Sequence, residues 1–519
     1  MRTEKSIKNS IAALVVNLST MLIGFIAQAI FIRILGAEYL GLNGLFNNIL
    51  SMLAIAELGI GNAIIFSLYK PLVDDDKKSI TALMNFYKKA YNIVSLIVLF
   101  LGISIIPFLK FIVGEMSVNI NIYVVFILYL LSSLASYFLT YKRSILYADQ
   151  KKYIINYTHT FYLFLLNITQ LLALYLTKNY YLYIVMKIIC QIIENIILNL
   201  IVNKQYPYLR KSTNDKISKE TEKNIFQRIK GLFFHKIGNF LVWGTDNILL
   251  SYFFGVIQVG IYSNYSMIIN SVSNLFQQFI SATSASIGNL LIEKNSKKTQ
   301  NIFKKVYFLN YWMVVFASNC ILIIIQPFVK IWVGEQYLLP IYIVIVLVIS
   351  FYQKMMRVTY DTFKEGAGIW HEDRFMPIFE SIFNIAFSII FAKCFGLVGI
   401  FLGTIVSGFV LWFYSYPKYV FKMILNLSID DYIKINGKYF VIFSLITSIS
   451  YLLSTLYNPN IITLKLIYNI LISLIVPNVL MVIIFFKDEN FKFFLKIIKK
   501  IFYKLKKIFE RTSWYEKKK

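Results

Sequence analysis

Six residues in this 519-residue chain join a chemically active side chain to an apolar setting: Arg33, Glu57, Glu194, His235, Lys236 and Asp246. Each lies in or at the end of a long hydrophobic run. An ionised group there costs roughly 2.5–3.5 kcal/mol on insertion scales, so it calls for a partner or a water-filled cavity. Glu57 is followed by Leu58-Gly59-Ile60-Gly61, and no residue within a helical turn can pair with it. A carboxylate so placed either bonds to another helix or binds a proton or a cation. Asp246 and Glu194 pose the same choice. Arg33 closes the first apolar run, where it can snorkel as an anchor or offer a bidentate guanidinium to phosphate oxygens. His235 and Lys236 lie about one turn inside a later run. His235 is placed to bind an anion or to titrate near neutral pH, and both residues also suit a plain interfacial role. Arg357 and Asp361, four apart, share a helix face and could pair.

Other chemistries lack their residues. There is no Walker A sequence and no Gly-rich phosphate cradle for an ATP-driven pump. The segments expected outside are short. They hold no acidic pair or His-centred group for acid–base work, which argues against a membrane-embedded polymerase or another enzyme. Cys190, Cys320 and Cys394 sit in apolar runs at unrelated spacings and read as buried thiols, not as a metal site or a disulfide. No cofactor is expected.

The elements that position these residues must be membrane helices. Hydrophobic residues make up 58% of the chain and charged ones 15%, the charges being confined to short intervals between runs long enough to cross a bilayer. Fourteen spans are expected, at about 11–32, 42–68, 91–109, 120–141, 154–176, 180–202, 231–253, 261–291, 306–329, 339–360, 375–395, 397–417, 439–457 and 464–486. The net charge of +27 has no soluble basic module to carry it, so nucleic acid is not an expected partner. With the N-terminus inside, all but seven of the 53 Lys and Arg fall on the inner side. The exceptions are Arg33, Lys110, Lys178, Lys187, Lys330, Lys393 and Lys465. That bias places both termini in the cytoplasm. The stretches Asp74–Lys78, Lys142-Arg143 and Lys151-Lys152 read as inner loop and topology signals. The tail after Lys487 alternates Lys with Phe, Ile and Leu and reads as an interfacial helix drawn to anionic lipid.

A duplication organises the chain. Pro107-Phe-Leu-Lys-Phe-Ile-Val-Gly-Glu115 recurs as Pro327-Phe-Val-Lys-Ile-Trp-Val-Gly-Glu335, and Gly36-x4-Gly41-Leu42 recurs as Gly255-x4-Gly260-Ile261. An offset of six spans keeps orientation, so the halves are parallel repeats, an arrangement transporters use with the substrate path at the repeat interface. The expected domains are a six-helix bundle (1–203), a cytoplasmic connector (204–230), a second six-helix bundle (231–424), two extra spans (425–486) and the basic tail (487–519). Spans one, two, seven and eight should enclose a central cavity, with Arg33, Glu57 or Asp246 facing it.

The block from Phe31 through Gly36, Glu38, Gly41 and Gly44 to Phe46, then Ala56-Glu57-Leu58-Gly59-Ile60-Gly61, resembles the opening of bacterial polysaccharide flippases of the Wzx type. So does Thr245-Asp246-Asn247-Ile248-Leu249 leading to Gly255 and Val259-Gly-Ile-Tyr-Ser-Asn-Tyr265. Their superfamily also holds the MATE drug exporters and the lipid II flippase. The resemblance implies an all-α polytopic fold of two six-helix bundles with two extra helices, in the bacterial cytoplasmic membrane. It implies translocation of undecaprenyl-diphosphate-linked oligosaccharide, driven by a proton, Na+ or the membrane potential. In that reading Arg33, His235 and Lys236 meet the diphosphate, while Glu57, Asp246 and Glu194 couple the ion. A MATE-like exporter of organic cations and a lipid II flippase are the rival readings.

Overall fold

The computed structural model describes residues 2–57, 60–210, 217–226, 244–281, 283–369, 372–496 and 499. His235, Lys236 and most of the basic tail lie outside them. Lipid offers no hydrogen bonds, so an apolar run must satisfy its backbone within itself, and a helix does so. The order is α1 (Arg2–Leu35), α2 (Ala37–Leu53), α3 (Ile60–Val73), α4 (Lys77–Ile105), α5 (Leu109–Val113), α6 (Ile122–Tyr137), α7 (Arg143–Ala148), α8 (Lys152–Thr177) and α9 (Tyr180–Gln205). Then follow α10 (Asp246–Phe254), α11 (Val256–Ser281), α12 (Ser284–Ile292), α13 (Ser296–Trp332), α14 (Ile341–Ala367), α15 (Met376–Phe395) and α16 (Leu397–Val410). A π-helical stretch, Leu411–Ile424, leads to α17 (Ile429–Thr455) and α18 (Ile462–Phe485). The protein is an all-α polytopic membrane protein, with no strand among the described residues.

Ten helical segments among the described residues are long and apolar enough to cross a membrane. They are the third to sixth and the ninth to fourteenth spans expected from hydropathy. The other four differ for visible reasons. Span 42–68 is broken into α2, a 3-10 turn at Ala54–Glu57, and α3. Span 261–291 is split between α11 and α12. Span 231–253 is described only from residue 244, and the apolar part of α1 among the described side chains is Ser19–Leu35. The break expected at Lys393 and Gly396 is present: α15 ends at Phe395 and Gly396 takes φ +67° before α16 begins.

The duplication is written in the helix boundaries. Leu35 and Phe254 end α1 and α10, Ala37 and Val256 start α2 and α11, Val113 and Trp332 end α5 and α13, and Ile122 and Ile341 start α6 and α14. All four pairs are 219 residues apart. Gly36 and Gly255, the junction residues of the first pair, both turn with positive φ, +94° and +83°. That backbone conformation is open to glycine at no steric cost.

Contacts group the chain into two compact units, one of residues 1–264 with 374–407, the other of 265–373 with 408–519. In the first, α8 packs along α9, with α6 on α9 and α1 on α8. Phe46 of α2 is fully buried, edge-on to Phe126 and Tyr129 of α6 at 5.3 and 5.7 Å. In the second, α13 is the axis and packs on α14, α17 and α18. Its apolar window is 67% buried against 22% for α18, which marks α13 as core and α18 as lipid-facing. Toward its N-terminal end, Phe303 and Tyr307 of α13 cluster with Tyr360, Phe363, Phe421 and Tyr432, all buried. The first residues of the basic tail dock here too: Phe491 stacks on Trp312 at 5.4 Å and Phe494 lies 5.0 Å from the same ring.

Loops behave as polar caps. The run Asp74–Lys78 is solvated, and the Asp76 carboxylate caps α4 by accepting from the Ser79 amide at 3.0 Å. Between α7 and α8, partial burial would raise the Asp149 carboxyl. The Tyr206 hydroxyl at 2.5 Å and the Lys151 ammonium at 2.8 Å outweigh it and hold the group below the usual carboxylate range.

Candidate functional site

Glu57 sits at the end of the 3-10 turn that interrupts the second span. A broken helix at membrane depth leaves backbone groups without intrahelical partners and is the form that transporters use for binding sites. The carboxylate is half-buried and accepts the hydroxyl proton of Tyr91 on α4, so its partner comes from another helix. Tyr91 in turn packs edge-on against Tyr87 at 4.6 Å and Tyr137 at 6.0 Å, which gives Glu57 a phenolic surround.

Earlier in the same span, Asn47 accepts from the Lys187 ammonium at 3.0 Å, and that ammonium lies 5.4 Å from the Tyr129 ring centroid. Asn43 accepts from both Tyr129 and Asn47 at 2.6 Å. Lys187, counted on the outer side, is seven residues inside α9, about 10 Å along its axis. Hydropathy tolerates one Lys near a span end because the side chain can snorkel. Here it turns to α2 instead, and adds an intramembrane cation that sequence reasoning did not single out.

Glu194 is buried on α9 and held by three donors. Arg143 Nη2 approaches to 3.1 Å, His159 Nδ1 to 3.1 Å and Gln191 Nε2 to 3.0 Å. Arg143 also donates to Asn195 at 2.9 Å, and Lys142 donates to Asn199 and Asn203 at 2.5 and 2.6 Å. The pair Lys142-Arg143 therefore does more than signal topology: both residues lock α9 to the short segment before α8.

Asp246 opens α10 and is buried. Thr404 of α16 donates to its carboxylate at 3.3 Å. The Asn384 amide of α15 donates to Thr404 at 3.1 Å and to Ser407 at 3.4 Å, while Thr245 donates to the Asn384 carbonyl at 3.2 Å. Glu380, one turn before Asn384, is buried as well. One buried carboxyl, three hydroxyls and an amide oxygen on three helices form a set of hard oxygen donors, suited to a proton or a hard cation. Of these, only Asp246 was legible in advance, because Asn384 and Thr404 are ordinary residues until helices bring them together.

Arg33 is exposed in the last turn of α1. Arg357 and Asp361 are linked through a third residue: Arg357 donates to the Tyr416 hydroxyl at 3.0 Å, and Tyr416 donates to Asp361 at 3.1 Å.

The repeat is also a contact. A Cβ on Gly41 of α2 would lie 2.0 Å from the Val256 carbonyl oxygen, and one on Gly260 of α11 would lie 2.0 Å from that of Ala37. Positions 37 and 41 thus face their own counterparts, 256 and 260, in a reciprocal crossing with backbone on backbone.

Helix boundaries repeated at an offset of 219, interrupted spans and buried charges within apolar helices define an all-α polytopic membrane protein. Residues 6–287 match the family described as "Polysaccharide biosynthesis protein", and the chain belongs to that family. Among solved structures, it is similar to the lipid II flippase MurJ in an inward closed conformation, at 17% identity and TM-score 0.60, over 92% of this chain and 99% of that one. It is similar to an inward-facing multidrug resistance MATE family transporter of the MOP superfamily, at 15% identity and TM-score 0.58, over 78% and 99%. A point mutant of the Vibrio cholerae MATE transporter VcmN matches at 14% identity and TM-score 0.51, over 78% and 93%. At these identities the likeness establishes the fold. A search of curated proteins by sequence gives no match.

Proposed function

We propose that this protein is a flippase that carries undecaprenyl-diphosphate-linked oligosaccharide across the bacterial cytoplasmic membrane by alternating access, coupled to a proton or Na+. The family match carries the reading: a polysaccharide-biosynthesis protein with the fold of a lipid flippase has a lipid-linked glycan as its natural cargo. The charges support it. Arg33, Lys187, and His235 and Lys236 supply cations for a diphosphate, whereas an exporter of organic cations would gain nothing from Lys187 inside its helices. Coupling falls to carboxylates that can change charge. Asp246 has the fullest set of neighbouring oxygens, and Glu57 sits at the broken span. Glu194 is held by Arg143, His159 and Gln191, so a coupling role there would need that cluster to open. The bundles 1–203 and 231–424 act as the two parallel repeats, joined by the connector 204–230. The spans 425–486 and the tail 487–519 lie outside the repeat, the tail resting on anionic lipid. Both termini are cytoplasmic.

The fold likeness to MATE transporters keeps one rival reading, ion-driven export of organic cations. The test is a flipping assay in proteoliposomes loaded with lipid-linked oligosaccharide, with and without an imposed ion gradient. Gradient-dependent exposure of the glycan on the far leaflet supports the proposal. Exchange of an organic cation in the same vesicles, without glycan movement, would establish the rival.

A further inference from the structure

Three cations gather at the end of the first unit where α6 and α9 finish. Lys142 closes a 3-10 turn, Thr140–Lys142, that packs against both α4 and α9. A second 3-10 turn, Pro207–Arg210, follows α9, packs against the same two helices and carries Arg210. Lys88 comes from α4. It stands one turn beyond Met84, whose sulfur accepts at 3.5 Å from Ser144, two residues after Lys142. The charges of Lys88 and Arg210 both act on the Lys142 ammonium. The level is that of a membrane boundary, because the apolar runs at 91–109, 120–141 and 180–202 each have one end here.

Lys142 is buried, and its ammonium donates to the carboxamide oxygens of Asn199 and Asn203. Those dipoles hold the charge in place and leave it uncancelled. A lysine is rarely buried without an opposite charge, and here two like charges stand beside it. Among the described residues, no carboxylate pairs with Lys88, Lys142 or Arg210. Neighbouring acids are engaged elsewhere: Glu194 accepts from Arg143, His159 and Gln191, and Asp149 from Lys151 and Tyr206. Lys88 and Arg210 are exposed, so their donors are open to a ligand, while Lys142 contributes its fixed charge. Three cations so close repel one another, and an anion joining them turns that repulsion into attraction.

We infer that Lys88, Lys142 and Arg210 form a binding site for the phosphate of an anionic phospholipid. The Arg210 guanidinium donates two-pronged to phosphate oxygens and the Lys88 ammonium adds a further donor. A basic pocket between helices at headgroup depth is a form in which membrane proteins hold such lipids, and at that depth the phosphate arrives on a lipid. A zwitterionic headgroup is disfavoured, since it brings a fourth cation to a place that already has three. The site lies wholly within the first unit and uses none of the residues assigned to transport.

The test uses the full-length protein in detergent, with affinity read by native mass spectrometry and the place of binding by hydrogen exchange in segments 139–148 and 204–210. The probes are phosphatidylglycerol, phosphatidylcholine and water-soluble glycerol phosphate. Phosphatidylglycerol should bind at least tenfold more tightly than the other two and slow exchange in both segments. The double variant K88Q/R210Q should lose both the preference and the slowing. The control K434Q/K438Q makes the same change of charge in the second unit and should keep both. Lys142→Met should weaken the lipid as well, and the exposed pair still decides the matter if that variant is unstable. Slowing by phosphatidylcholine equal to that by phosphatidylglycerol, or a response of K88Q/R210Q like that of the wild type, would overturn the inference. Glycerol phosphate binding as tightly as the lipid would make this a soluble-phosphate site and overturn it equally.

Discussion

Replacing Gly41 with alanine would set a methyl carbon 2.0 Å from the Val256 carbonyl oxygen and 2.7 Å from its Cγ1. A carbon and a carbonyl oxygen rest at about 3.3–3.6 Å. The side chain of Val256 can turn away, but the oxygen belongs to the backbone of α11, so the helices must part by about 1.3 Å or more at this point. Overpacking of that kind costs about 1–3 kcal/mol. Gly260→Ala meets the Ala37 carbonyl oxygen at the same 2.0 Å, and the separation that relieves one clash also relieves much of the other. The double variant should therefore cost little more than either single one, a departure from additivity on the order of 1–3 kcal/mol. Gly437→Ala is the internal control. It lies in α17 with nothing within 4 Å of the added carbon, so it should stabilise by about 0.5–1 kcal/mol. Denaturant unfolding of the purified protein in detergent, on the three single variants and the double, reads all of these. Single costs at Gly41 and Gly260 below about 0.5 kcal/mol, or costs that simply add, would refute the reciprocal crossing.

Glu57→Gln should fold, since the amide oxygen still accepts from Tyr91, yet abolish or decouple transport; wild-type glycan export at matched membrane abundance and several external pH values would make Glu57 structural and move coupling to Asp246. Thr404→Val should leave α16 in place and weaken the dependence of flipping on the ion gradient by removing a donor to Asp246, and an unchanged gradient dependence in proteoliposomes would take the Asp246 cluster out of the coupling scheme. Arg143→Met leaves the Glu194 carboxylate short of a cation and should cost about 3–5 kcal/mol, with partial recovery when Glu194→Leu is added; unfolding curves of both test this. Acidification should weaken the loop at Asp149: its carboxyl is held low in the fold, so the stability it contributes is present above the unfolded-state value and is lost as pH falls through the folded one. Hydrogen exchange around residues 149–152 should rise with falling pH in the wild type and stay flat in Asp149→Asn.

What the sequence makes legible follows the range of the interactions. Span positions are local, since a run of apolar residues is enough, and the ten continuous segments fall where hydropathy puts them. The repeat is legible because Gly36 and Gly255, and the two Pro-Phe-x-Lys stretches, mark helix ends that the backbone must turn. Interactions between distant residues are not written locally. That Glu57 needs a partner on another helix is readable; that the partner is Tyr91 is not. Arg357 and Asp361 share a face as their spacing requires, but the Tyr416 hydroxyl between them comes from 55 residues away. Lys187 shows the same limit. A snorkelling lysine and one bonded between helices look alike in a hydropathy window, and only the asparagine on the facing helix tells them apart.

The 37 residues of α13 make a rod about 55 Å long. A hydrocarbon core is about 30 Å thick, and even a 40° tilt lengthens the path to only about 39 Å. With its Trp332 end at one interface, the part of α13 that begins at Ser296 must stand clear of the lipid on the other side. Phe303, 29 residues and about 44 Å from Trp332, lies at that level, while its neighbour Tyr360, 19 residues and about 29 Å into α14, is still within the thickness of the core. Between helices in lipid there is no hydrophobic driving force, because the surroundings are as apolar as the side chains. Beyond the lipid there is water, and where the aromatic cluster reaches past the lipid it is held as a soluble core is, by exclusion of that water. The second unit is thus cohered by two different solvents. Its protruding end should soften on cooling and in urea, as a soluble domain does, under conditions that leave the lipid-embedded part of the same helices untouched.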